Sequence, residues 1–170
     1  RSHHTQSLSA VVRRRPDSVE VEFKEEPISD SVVSRLLFPK SKQLKHTDRF
    51  LMPNLSRVDY DFGPERHFIV TSQCTPYSDE ETEVYTTISY RFGRLGLLVR
   101  LFFEPLCRHI IAQDVDILRE HSKQMKQFGG PEYAHVETDL LGLHIQSLRT
   151  NRERNKPPPE DSQRVITITF

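Results

Sequence analysis

Apolar and polar positions alternate through the first half of the chain. Val19, Val21 and Phe23 alternate with Glu20 and Glu22, the period of a half-buried strand. A strand over 18–23 therefore follows one over 9–14, with Arg15-Pro16-Asp17 as the turn between them. In 57–62, Val58, Tyr60 and Phe62 alternate with Arg57, Asp59 and Asp61. Gly63-Pro64-Glu65 then turns the chain, and 67–75 returns. Residues 76–81 read as an acidic, exposed turn. Residues 82–92 form a long strand with Val84, Thr86, Ile88 and Tyr90 on one face. Short loops between consecutive strands predict an antiparallel meander. Two stretches are less regular. Residues 25–45 are poorly periodic, with 31–38 either a short helix or an ordered loop over a pocket. Residues 50–53 read as an apolar edge segment ended by Pro53.

The period then changes. Leu106, Cys107, Ile110, Ile111, Val115 and Leu118 recur at helical spacing. A helix is expected from about 97 or 105 to 127, with Pro105 in its first turn or at a kink, and with Gly129-Gly130-Pro131 as its stop. Asp114 falls within about 40° of Ile110 and Leu118 on this helix and about 20° from Cys107 and His121, whereas Asp116 points about 200° away. Asp114 therefore belongs to the apolar stripe. A carboxylate there requires a partner, which leaves two readings: a satisfied structural acid, or a functional group. A second amphipathic helix begins behind Thr138 or Asp139 and carries Leu140, Leu141, His144, Ile145 and Leu148 on one side. Residues 156–170 form a Pro-rich spacer and a terminal strand. Strands first and a long helix late is an α+β plan, with the helix laid across one curved antiparallel sheet.

Length and charge narrow the picture. At 170 residues the chain is expected to form a single domain. Twenty-four basic residues balance 24 acidic ones, which argues against a general nucleic-acid binder. Two cysteines give no disulfide framework and fit a reducing, cytoplasmic compartment. Cys107-Arg108-His109 has the spacing of half an iron–sulfur ligand set, but no Cys-x-x-His follows it. No apolar run is long enough for a membrane span. The chain begins Arg1-Ser2-His3-His4, without Met. Either a vector scar heads it or it starts inside a larger protein, and His3 and His4 are native only in the second case. There is no glycine-rich phosphate loop and no nucleophilic triad at a recognisable spacing.

The run from Gln113-Asp114-Val115-Asp116 to Lys123-Gln124 resembles the late helix of Rieske non-haem iron oxygenases of the vanillate O-demethylase, dicamba monooxygenase and pheophorbide a oxygenase type. Phe50-Leu51-Met52-Pro53-Asn54, Cys74-Thr75-Pro76 and Glu80-Glu81-Thr82 resemble the strands of the same catalytic domain. Asp139-Leu140-Leu141, Leu148-Arg149 and Pro157-Pro158-Pro159-Glu160 resemble its C-terminal helix and tail. The likeness covers roughly residues 4–170 through short motifs.

The resemblance implies a START-like helix-grip fold and one mononuclear Fe(II) held by two histidines and one aspartate. It carries the aspartate onto Asp114 and one histidine onto His4. The other histidine would lie before Arg1, so at most two of three metal ligands are present. Ile110, Ile111, Leu118, His121, Ile88 and Tyr90 would line the substrate pocket. His121 lies about 10 Å along the helix from Asp114, too far for both to bind one metal. The implied activity is ring hydroxylation or oxidative demethylation of a hydrophobic, aromatic substrate. Electrons would come from a Rieske [2Fe-2S] cluster in a missing N-terminal part, fed by a reductase or ferredoxin. The full-length protein would be a homo-oligomer, a trimer, and this chain alone would be inactive. The alternative is a non-catalytic helix-grip carrier in which Asp114 orients a hydrophobic ligand. A weaker third is an interaction domain using the basic end of the second helix.

Overall fold

The Arg15-Pro16-Asp17 turn closes through the Arg15 N–H, which donates to the Ser18 carbonyl at 2.9 Å. The strands on either side, β1 (Ser7–Arg14) and β2 (Ser18–Pro27), pair antiparallel with Val12 opposite Val21. This computed structural model describes residues 7–27, 43–63, 66–93, 96–130, 133–136, 138–157 and 159–169. The meander continues through β3 (Gln43–Leu51), β4 (Leu55–Asp61), β5 (Arg66–Pro76) and β6 (Thr82–Phe92). The last strand, β7 (Ser162–Thr169), returns beside β1. The result is a seven-stranded antiparallel sheet in the order β6-β5-β4-β3-β2-β1-β7.

Turn chemistry accounts for the hairpins. Gly63 takes φ 102° between β4 and β5, where the Asp61 carboxylate accepts its N–H at 2.8 Å. The Ser78 hydroxyl accepts the Glu81 N–H at 3.1 Å in the β5–β6 turn.

The expected edge segment at 50–53 needs correction. Phe50 and Leu51 end β3, an interior strand paired on both sides. The strand escapes a period-two search because it carries His46 and Asp48 on the face that also bears Phe50, so both faces are polar over most of its length. The expectation for 31–38 lies outside the described residues.

Two helices follow the meander. α1 (Gly96–Gln127) runs 32 residues with Pro105 inside it. It ends where Gly129 and Gly130 take φ 86° and 132° and the Gly130 N–H reaches the Met125 carbonyl at 2.9 Å. α2 (Gly142–Glu153) starts with the Asp139 carboxylate accepting the Gly142 N–H at 2.8 Å.

The chain divides into two compact units, one of residues 1–91 with 137–170 and the other of residues 92–136. In the first, α2 packs on one face of the sheet. Leu140 and Leu148 join Ala10, Val12, Val19, Val21 and Phe50 in the buried core, with Ile145, Ile166 and Ile168 against it. Val19 and Val21 are fully buried, each contributing roughly 1.5–3 kcal/mol of transfer free energy. The Arg149 guanidinium lies 5.4 Å from the centre of the Phe50 ring.

The opposite face is ionic. Arg13 donates to Glu20 and Glu22, Arg49 to Glu20 and Asp59, and Arg57 to Asp59, all at 2.5–2.8 Å. Thr47 and Val11 are buried on this face, beneath side chains whose aliphatic stems cover them while the charged ends reach one another. In the second unit, Phe92 packs edge-on against Phe103 on α1, with ring centres 6.2 Å apart.

Candidate functional site

Pairing in β2–β5 brings four rings into one row across four strands. Phe23 stands opposite His46, His46 opposite Tyr60, and Tyr60 opposite Phe68. Successive ring centres are 5.1, 4.5 and 5.7 Å apart, with interplanar angles of 29°, 20° and 22°. Cross-strand aromatic neighbours of this kind stabilise a sheet face. They also make a flat apolar wall, to which Phe62 adds a ring 6.5 Å from Tyr60.

One polar pair is set into this wall. The next row contains Val21, Asp48, Val58 and Val70, so Asp48 is a carboxylate among valines. His46 Nε2 lies 2.9 Å from Asp48 Oδ1, with the two side chains 16% and 25% exposed. The pair satisfies the acid and fixes the ring. The hydrophobic periodicity of the sequence does not single out His46. The signal that could have found it is the His-x-Asp spacing, which puts both side chains on one face of any strand.

Ile88 and Tyr90 lie on the same sheet face. The Thr86 hydroxyl is 3.0 Å from the Ser72 hydroxyl, and Ser72 pairs with Ser56, itself opposite core residue Phe50. Alternation along β6 then puts Ile88 and Tyr90 with Thr86, both half-buried.

The remaining sequence candidates sit on α1. Asp114 is in the middle of the helix, flanked at one turn by Ile110 and Leu118. The stripe expected to be buried is instead exposed: Ile110 is 47% accessible, Ile111 39%, Val115 38% and Leu118 59%. Asp114 and His121 are exposed as well, and Asp114 makes no ion pair or hydrogen bond among the described residues. Helical phase is fixed by spacing, but burial depends on what stands against a face, which the pattern of one helix does not contain. Asp116 is exposed too and pairs with Arg119 at 3.2 Å. Phe103 and Cys107 are half-buried on α1, and burial pushes the Cys107 thiol above its ordinary range.

His4 lies outside the described residues. Among the described residues no group of three His, Cys, Asp or Glu side chains is placed to hold a metal ion. Asp114 offers one hard oxygen donor of the kind iron accepts, and no described imidazole stands with it. The described residues alone therefore do not make an iron site. Among them, no helix is long and apolar enough to cross a membrane.

No family model, curated protein or solved structure matches the chain.

Proposed function

We propose that this chain is the catalytic domain of a Rieske-type mononuclear non-haem iron oxygenase with a helix-grip fold, acting on a hydrophobic, aromatic substrate. What supports the reading is one arrangement: a seven-stranded sheet with an aromatic row on one face, followed by a long helix with Gln113-Asp114 near its middle. The Phe23, Tyr60 and Phe68 rings and the side chains of Ile88 and Tyr90 offer a planar substrate stacking and apolar contact. His46, held by Asp48, gives that wall a fixed polar group. Asp114 and His4 are the proposed metal ligands in this chain, with a further histidine outside it. Iron, when bound, would supply activation of oxygen. In the proposal a Rieske cluster elsewhere in the protein, charged by a reductase or ferredoxin, supplies electrons within a homo-oligomer.

Iron retention by the full-length protein is the deciding measurement. After anaerobic loading with Fe(II) and dialysis against a mild chelator, Asp114→Ala is expected to lose iron and turnover while keeping its circular dichroism spectrum. Asp116→Ala is expected to keep both and to change stability by no more than about 0.5 kcal/mol. The 170-residue chain by itself should hold iron weakly, since two ligands leave most positions to water. Stoichiometric iron in Asp114→Ala overturns the ligand assignment. A full-length protein in which Asp114→Ala changes affinity for a hydrophobic ligand, and which never holds iron, is instead a helix-grip carrier.

A further inference from the structure

The two faces of the sheet treat their arginines differently. On the ionic face Arg13, Arg49 and Arg57 each meet a carboxylate. Arg14 and Arg164 lie on the other face, at the end that α2 covers. Arg14 stands opposite Ser162 and Val12 opposite Arg164, so the two arginines are diagonal neighbours on β1 and β7, at a separation within reach of long side chains. They share their face with Val12 and Ile166 of the core. From above, α2 brings His144 and Ser147, one turn apart on the same side of the helix.

Among the described residues no carboxylate pairs with Arg14 or Arg164. Arg14 donates from Nη2 to the Ser147 hydroxyl at 2.7 Å, and its Nε is buried without an acceptor. Among the described residues neither Arg164 nor His144 has a hydrogen-bond or ion-pair partner. The acid that begins α2, Asp139, accepts the Gly142 N–H at 2.8 Å. His144 is the third residue of α2, so the positive end of the helix adds to the same local potential. Burial pushes the His144 imidazole below its ordinary range, and Arg14 and Arg164 push it further. Gathering like charges without a counter-charge is costly, and this sheet avoids it on its other face.

We propose that Arg14, Arg164 and His144 form an oxyanion site, taking the carboxylate or phosphate group of a small ligand. Arg164, which is exposed, presents the forked donor that matches either group. Arg14 is held in place by Ser147 and supplies the second positive charge. His144 donates once protonated. Binding and protonation are then reciprocal: the anion draws the His144 titration back up, and affinity rises as pH falls through it.

The test titrates the chain with inorganic phosphate, and separately with acetate, at constant ionic strength set by chloride. The readout is the His144 ring resonances in NMR spectra. A saturable shift with phosphate, accompanied by a raised His144 titration, is expected. Arg164→Gln, at an exposed position, should fold normally and bind about tenfold more weakly, the loss of one charge-assisted hydrogen-bonding partner. Saturation by phosphate but not acetate assigns the phosphate class, and saturation by acetate assigns the carboxylate class. No saturable shift with either anion overturns the site, as does equal binding by wild type and Arg164→Gln.

Discussion

Arg49 donates its Nε–H to Glu20, its register partner across the β2–β3 pair, and reaches Asp59 on β4 with Nη1. One guanidinium thus ties three strands. All three side chains are between a fifth and a third exposed, intermediate between surface pairs worth little and buried pairs that are costly to break. Arg49→Met should therefore destabilise the fold by about 1–3 kcal/mol in urea unfolding, since it leaves two half-buried carboxylates short of a donor. Arg119→Met, which removes the exposed pair with Asp116 on α1, should change stability by under about 0.5 kcal/mol.

The same ladder sets an acid limit on stability. Burial pushes the Glu20 carboxyl up, but hydrogen bonds from Arg49 and Arg13 outweigh it, and the group titrates below its ordinary value of 4.5. The hydrogen bond from Arg13 lowers Glu22 against opposing burial, and Lys45 helps. Folded carboxyls with depressed pKa stabilise fully above the unfolded pKa, and the contribution is lost as pH falls through the folded one. Urea midpoints should hold steady from neutral pH to about 4.5 as far as these groups are concerned, then drop. A Glu20→Gln, Glu22→Gln double variant should start less stable and fall less steeply over that lower window.

His144 adds a second, milder window. Its folded pKa lies below 6.5, first through burial and then through Arg14 and Arg164. The imidazole is neutral in both states above 6.5, so its share of stability is complete there. As pH falls from 6.5 toward the folded value, the unfolded chain takes up the proton first and stability declines. In chloride solution free of phosphate and carboxylates, His144→Gln should flatten the pH dependence of the thermal midpoint in this range. An unchanged slope would place the titrating group elsewhere.

How much of this was readable from residue order depends on what each element needs. β2, β4 and β6 show alternation because apolar and polar residue types fall on opposite faces, and α1 shows its period through Ile110, Ile111 and Leu118. β3 is different: its place in the middle of the sheet is held by Glu20 and Asp59, which lie 29 and 10 residues from Arg49, and such partners are not visible within a short window. Nor is the return of β7 to β1, which joins residues such as Ser7 and Thr169 at opposite ends of the chain. For the candidate site, the phase of Asp114 on its helix was readable but the exposure of the surrounding stripe was not. The His46–Asp48 pair escaped because two polar residues interrupt the apolar pattern by which strands are found.

The start of α2 permits a test of coupling between two neighbours. Asp139, two residues before the N-cap residue Leu141, satisfies the first helical N–H, that of Gly142, as a cap would. A Cβ built at Gly142 would sit 2.5 Å from both Asp139 carboxylate oxygens and 2.8 Å from their carbon, so the cap and a side chain at 142 compete for the same place. Asp139→Ala should cost about 0.5–2 kcal/mol through the lost cap. Gly142→Ala should also destabilise the wild type, because it displaces the carboxylate, even though alanine is the better helix former. Once Asp139→Ala has removed the obstacle, only the propensity remains, and Gly142→Ala should then stabilise by up to about 1 kcal/mol. The double-mutant cycle is therefore expected to change the sign of the Gly142→Ala effect, with urea unfolding as the measurement. Additive effects would mean that the carboxylate moves aside without losing its bond, and that the cap does not depend on glycine at 142.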